Sequence, residues 1–149
     1  MPERLLNDNI AQQVKDSFDK GLVESVQVIF FGEEDDCHYC PDTLQLVGEV
    51  VELSDKLELL VYDLEKDADL ARLYNVSKAP GLVIAAKDGD EIRDYGIRFA
   101  GIPSGYEFSS LIQSLILVSG RDSGLNARTR QVLGELKKPV DLMVFATPT

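Results

Sequence analysis

The sequence predicts an α/β fold built on a central mixed four-stranded sheet with helices on both faces. Three observations carry this: short β-branched and aromatic runs alternate with stretches of helical period, the elements read βαβαββα after a leading helix, and an Asp-Gly turn folds two of the runs into a hairpin.

Residues 4–20 place Leu6, Ile10, Val14 and Phe18 four apart, a stripe on one helical face, and Gly21 is positioned to end that helix. Val26-Gln27-Val28-Ile29-Phe30-Phe31 reads as a buried strand between Ser25 and Gly32. From Thr43 onward Leu44, Val47, Val50, Val51 and Leu53 recur at helical spacing, so Cys37 and Cys40 lie where a loop enters a helix. Residues 57–64 form the next strand through Leu57, Leu59, Leu60 and Val61, and residues 66–74 a short helix through Ala68, Leu70, Ala71 and Leu73. After Lys78-Ala79-Pro80 come the strand Leu82-Val83-Ile84-Ala85-Ala86, a turn at Lys87-Asp88-Gly89-Asp90 and the strand Tyr95-Gly96-Ile97-Arg98-Phe99. Phe108, Leu111, Ile112, Leu115 and Ile116 share one side of a helix over 104–118, with Ser104 and Glu107 at capping-box spacing. A smaller helix over 125–136 and the apolar run Val140-Asp141-Leu142-Met143-Val144-Phe145-Ala146 echo the opening helix and the strand at Val26. The expected organisation is therefore one unit over 1–120 and, over 121–149, the helix and first strand of a second unit. The run at 140–146 is expected to be a buried strand that continues the sheet or associates with another chain.

A chain of 149 residues that is 44% hydrophobic and 28% charged can build its own core. With 26 acidic against 15 basic residues its formal charge is −11, which repels a phosphate backbone or an anionic lipid surface, so nucleic acid is not an expected partner. No apolar run of about 18 residues and no basic-then-apolar start occur, so no membrane partner is expected and the predicted location is cytoplasmic.

The two cysteines are the sharpest signal. A bridge between residues three apart closes so small a loop that chain entropy assigns it only about 2 kcal/mol, a poor reason to keep the pair. At a helix N-terminus, by contrast, a thiolate faces unpaired N–H groups and the positive end of the helix dipole, which stabilise it as a nucleophile. The second thiol, one turn on, can attack the resulting mixed disulfide and release the substrate. Metal readings fail on ligand supply: structural zinc needs four ligands, and His38 between the cysteines is the chain's one histidine. An iron–sulfur cluster needs more thiolates, and c-type haem needs His after the second Cys, where Pro41 stands. Neither a metal nor a cofactor is expected.

These residues resemble the protein disulfide oxidoreductases, the glutaredoxin-like family of thermophilic archaea and bacteria. The similarity lies in the Cys37-His38-Tyr39-Cys40 helix, the Ala79-Pro80 step and, above all, Asp94-Tyr95-Gly96-Ile97-Arg98-Phe99-Ala100-Gly101-Ile102-Pro103-Ser104-Gly105-Tyr106-Glu107-Phe108. It extends over nearly the whole chain. It implies a thioredoxin fold with sheet order 2-1-3-4, in a protein of two tandem units each carrying CxxC; Val144-Phe145-Ala146-Thr147-Pro148-Thr149 ends where the second CxxC would start. It further implies Cys37 as attacking and Cys40 as resolving thiol, a cis Pro80 facing them, and Ala79 as the backbone that pairs with substrate like an added strand. The implied partners are protein dithiols or disulfides, a thioredoxin-reductase-like flavoprotein and a peroxiredoxin. The rival is a non-catalytic docking module of a two-unit redox protein, since one unit of such a tandem can lose its cysteines; the presence of both argues against it.

Two departures bear on mechanism. The place where thioredoxins carry a buried acid falls on Phe31, so protons must move through water or another group. Glu33-Glu34-Asp35-Asp36 precedes Cys37, and its charge either opposes the thiolate or is screened as a solvated loop. His38 and Tyr39 occupy the positions that tune the pair's potential. Protonated His38 favours the thiolate or is simply solvated, and Tyr39 offers substrate a flat contact or covers the helix end.

Overall fold

The computed structural model describes residues 3–147. Its elements are α1 (Asp8–Gly21), β1 (Val26–Gly32), α2 (Cys40–Val51), β2 (Leu57–Asp63), α3 (Ala68–Leu73), β3 (Gly81–Asp88), β4 (Glu91–Ala100), α4 (Tyr106–Ser119) and α5 (Ala127–Gly134). The strands form one sheet in the order β2-β1-β3-β4, as expected, with β1 parallel to β2, and β3 antiparallel to both β1 and β4. Every residue of β1 is buried, as its central place requires.

Alternation along the strands divides the interior in two. Val26, Val28 and Phe30 of β1 and Leu82, Ile84 and Ala86 of β3 pack with Val14 and Phe18 of α1, Leu46, Val47 and Val50 of α2, and Leu111, Leu115 and Val118 of α4. Ile29, Phe31, Val83 and Ala85 pack on the opposite face with Ala71 of α3. Phe31 is fully buried there beside the rings of Tyr62 and Tyr74, with ring centres 5.6 and 6.3 Å away.

α1, α3, α4 and α5 start later than expected, and at α1 and α4 the reason is visible. The first helix begins at Asp8 rather than residue 4, because Asn7 caps it by accepting from the Ile10 amide at 2.9 Å. The capping box at Ser104 and Glu107 does not form: α4 starts after Gly105, whose φ of 63° serves as the cap without a side-chain bond. α2 starts at Cys40, with Pro41 in its first turn, so the cysteine pair lies where the loop enters the helix, as expected.

The hairpin closes through the two residues Gly89 and Asp90, and β4 runs from Glu91, four residues earlier than the apolar pattern indicates. In β4 a bulge sits between the pairs Ile84↔Ile97 and Ala85↔Asp94, with Gly96 at φ 87° and its amide donating to Asp94 Oδ1 at 2.8 Å.

The expected strand at 140–146 does not form. Among the described residues the segment has no ladder partner, and Leu142, Val144 and Phe145 are about nine-tenths exposed, at 90%, 92% and 89%. α5 likewise buries none of its residues. An apolar run becomes a strand only beside another strand.

Candidate active site

β1 and β3 are antiparallel, with Phe31 opposite Gly81. The end of β1 that releases the chain toward the cysteines is therefore the end at which Pro80 enters β3. Gly32 closes β1; a Cβ there would lie 2.8 Å from the Phe30 ring and 3.7 Å from Cys40 Sγ. The absence of a side chain leaves room for the Phe30 ring, and Cys40 Sγ packs at ordinary contact distance from the same point.

Cys37 and Cys40 form a disulfide with Cα atoms 5.4 Å apart. Cys40 is the first residue of α2 and is buried, at 6% exposure, whereas Cys37 lies in the preceding turn and is half-buried. The Cys40 amide reaches back to the Cys37 carbonyl at 3.3 Å. Thr43, which the sequence does not single out, holds this turn: its amide and hydroxyl both donate to the Tyr39 carbonyl, at 2.9 and 2.6 Å. His38 and Tyr39 are exposed, their rings edge to face at 5.0 Å.

The Ala79-Pro80 peptide is cis. Pro80 is buried, Ala79 is half-buried, and Ala79 and Cys37 border the same core cluster as Cys40. The Pro80 carbonyl accepts from the Gly101 amide at 2.9 Å, which draws the loop after β4 to the same edge.

Before the cysteines, Glu34, Asp35 and Asp36 are exposed, Asp36 with φ 57°. Glu34 pairs with Lys66, the one ion pair this loop makes among the described residues. Lys66 sits beside Asp63, whose carboxyl is held below the usual carboxylate range chiefly by the Lys66 amide.

The nearest thing to a buried acid on this side is Glu49 of α2, outside the cysteine turn. It accepts from the Leu5 and Leu6 amides at 3.0 and 2.8 Å and from Gln45 Nε2 at 2.9 Å. Burial alone raises its pKa, but these bonds and the charge of Arg4 outweigh it and leave the carboxyl below its ordinary value. Its work is to fasten the segment before α1. Among the described residues no three His, Cys, Asp or Glu side chains converge to hold a metal ion, and no helix is long and apolar enough to cross a membrane.

A strand that ends in a CxxC turn, a helix that begins on the second cysteine and a cis proline at the same end of the sheet define a thioredoxin-fold unit carrying a CxxC disulfide. In solved structures the chain is similar to a protein disulfide oxidoreductase from Aeropyrum pernix, at 28% identity and a TM-score of 0.74 over 88% of this chain and 55% of that one. It is also similar to the NTD_N/C domain of the alkylhydroperoxide reductase AhpF from Enterococcus faecalis, at 25% identity and a TM-score of 0.73 over 85% and 58%. Among curated proteins it is 32% identical to the corresponding alkyl hydroperoxide reductase protein, AhpF, of Pseudomonas aeruginosa over 83% of this chain and 20% of that protein, and 30% identical to an NADH dehydrogenase of Bacillus subtilis over 90% and 22%. The chain thus spans about a fifth of the length of these curated relatives. No protein-family model matches it.

Proposed function

We propose that this chain exchanges the Cys37–Cys40 dithiol and disulfide with disulfides and dithiols of other proteins. The unequal burial of the two cysteines is the observation that carries the reading: Cys37 is half-buried and open to a partner, while Cys40 is shielded at 6% exposure. In the reducing direction the Cys37 thiolate attacks one sulfur of a substrate disulfide, forming a mixed disulfide and releasing a substrate thiolate. The Cys40 thiolate then attacks Cys37 Sγ, closing the Cys37–Cys40 bond and releasing the second substrate thiolate. Two electrons pass from the dithiol to the substrate. The two protons given up by Cys37 and Cys40 end on the two substrate thiols, carried by water or another group because Phe31 fills the place of an acid.

Substrate backbone pairs at Ala79 beside the cis Pro80, and His38 and Tyr39 set the potential from the two positions between the cysteines. A thioredoxin-reductase-like flavoprotein returns two electrons to the disulfide. The likeness to AhpF supports a peroxiredoxin as a further partner, in a cytoplasm that keeps thiols reduced. Residues 121–149 belong, on this reading, to a second thioredoxin-like unit. Asn126 caps α5 as Asn7 caps α1, and an apolar run follows each.

Insulin reduction with dithiothreitol tests the reading. The wild-type chain accelerates it, Cys37→Ser does not, and Cys40→Ser accumulates a mixed disulfide through Cys37. A chain that binds thiol proteins yet shows no acceleration is the docking module instead. Brief alkylation of the reduced protein should label Cys37 first; label on Cys40 reverses the roles.

A further inference from the structure

Arg98 is the most heavily engaged side chain near the site, and neither its charge nor its place in β4 explains why. Its Nε donates to the Tyr74 carbonyl at 2.9 Å, and its two terminal nitrogens fork onto Asp94, at 2.9 Å to Oδ1 and 2.6 Å to Oδ2. Asp94 and Arg98 are four apart on a strand, where side chains would ordinarily stand too far apart to meet. The bulge at Tyr95 and Gly96 removes that distance. A guanidinium can serve a carboxylate with one edge and a carbonyl with another, which an ammonium cannot do in the same fixed geometry.

Tyr74 is the last residue of the α3 turn, and the loop it opens, Asn75 to Ala79, leads directly into Pro80. Asn75 is left-handed at φ 54°, and the Val76 amide bonds the Ala71 carbonyl at 2.8 Å. The loop folds so tightly onto Gly81 that a Cβ there would stand 2.7 Å from Val76 Cγ1 and 2.8 Å from the Lys78 carbonyl. Its far end is fixed by the bond from the Gly101 amide to the Pro80 carbonyl. β4 and the residue after it therefore grip the loop twice, through Arg98 where it begins and through Gly101 where it ends.

We propose that Arg98, braced by Asp94, is a positioning residue that holds the Asn75 to Pro80 loop at the height where Ala79 pairs with a substrate backbone. The inference rests on the exchange reading above. Arg98 sits at the start of the loop and Cys37 past the end of β1, so the latch acts on how a protein substrate docks and leaves the intrinsic reactivity of the sulfur alone.

The experiment takes the full chain as wild type, Arg98→Ala and Arg98→Lys and reads insulin reduction against insulin concentration, iodoacetamide labelling of reduced Cys37, the dithiol potential, and amide hydrogen exchange across residues 74–81. Losing one charge-assisted bond to the loop should raise KM for insulin about fivefold. kcat, labelling rate and potential should stay at wild-type values, and exchange should quicken in 74–81 alone. Arg98→Lys keeps the charge beside Asp94 and with it the fold, so it decides the matter if Arg98→Ala unfolds; it should show the same rise in KM. An unchanged KM with unchanged exchange in Arg98→Lys overturns the proposal, as does a fall in labelling rate parallel to the loss of reduction. If the wild-type chain does not reduce insulin at all, the exchange reading falls by itself. The latch is then judged by exchange, and protection in 74–81 that survives Arg98→Ala overturns it.

Discussion

β1 and the segment 140–146 are nearly the same kind of sequence with opposite fates. Val26-Gln27-Val28-Ile29-Phe30-Phe31-Gly32 is buried at every position, while Leu142, Met143, Val144 and Phe145 stand in solvent. Local preference cannot be the difference, since both runs are apolar and rich in strand formers. The difference is neighbours. β1 has a parallel partner in β2, an antiparallel partner in β3 and a packed layer on each face; among the described residues no strand lies beside 140–146. Even the polar member of β1 is provided for: Gln27, at 2% exposure, donates to the Glu58 carbonyl at 3.0 Å.

Core truncations should split the two segments most widely. Phe31→Ala, at a site fully closed to solvent, is expected to cost about 3–5 kcal/mol, whereas Phe145→Ala should stay within about 0.5 kcal/mol. Urea midpoints of the two variants measure this, and comparable losses would mean that the segment is packed after all.

A smaller effect tests what holds down a segment that lies outside the sheet. The stretch before α1 is no more apolar than 140–146, yet Leu6 is buried because Glu49 takes the amides of Leu5 and Leu6. Glu49→Gln leaves one oxygen for two amides and should cost about 1–3 kcal/mol. Hydrogen exchange should then quicken at both amides. The pH dependence follows from the lowered carboxyl. A depressed folded pKa means that Glu49 contributes its full stability above the unfolded value of about 4.3, and that this is lost as pH falls through the folded value. Acid titration of wild type should release the Leu5 and Leu6 amides only as pH falls through the lowered folded value of Glu49, below the ordinary glutamate range, and Glu49→Gln should lack that step.

An unpaired apolar run also invites a partner. Sedimentation of the chain should show weak, concentration-dependent association that Val144→Lys suppresses without moving the urea midpoint. Strictly monomeric behaviour at every concentration would break the expected link between this segment and a second chain.

The contrast marks how far the sequence can be read. Strand order, the hairpin, the covering helices, the cysteine turn and the cis Ala79-Pro80 step are legible, because each rests on local period, turn chemistry or the quoted resemblance. What escapes depends on partners distant in sequence. Glu49 looks like a solvated helix position until Leu6 arrives from 43 residues away, and Ser119 like a helix end until it bonds Val23 and Glu24 across 96 and 95 residues. The first half of β4 is hidden because Glu91, Arg93 and Asp94 carry no apolar alternation; an exposed edge strand needs only its backbone to pair. The strand expected at 140–146 fails for the complementary reason, having the pattern without the partner.

One further property separates β1 from its look-alike: it delivers the chain into a charged loop at a redox pair. Four carboxylates, Glu33 to Asp36, precede Cys37, and Lys66 answers the charge of Glu34 alone among them in the described residues. That pair is 63% and 72% exposed, so water screens it strongly and the loop keeps most of its negative field. Negative charge destabilises a thiolate, and the thiolate belongs only to the reduced form; the field therefore favours the disulfide and makes the pair a stronger reductant. Glu33→Gln, Glu34→Gln, Asp35→Asn and Asp36→Asn together remove the field. Asp36 can be included because its backbone, at φ 57°, lies where Asn is as well tolerated as Asp, and because α2 is capped at Tyr39 without its help. With screening, an effect of about 1 kcal/mol corresponds to roughly 20 mV, so the variant's potential should be less negative by that amount at low ionic strength and converge on wild type as salt is added. Equilibration with glutathione at two salt concentrations reads the shift. A potential that does not move at low salt would assign control of the pair to the turn itself, with His38 and the start of α2 as its remaining sources of charge.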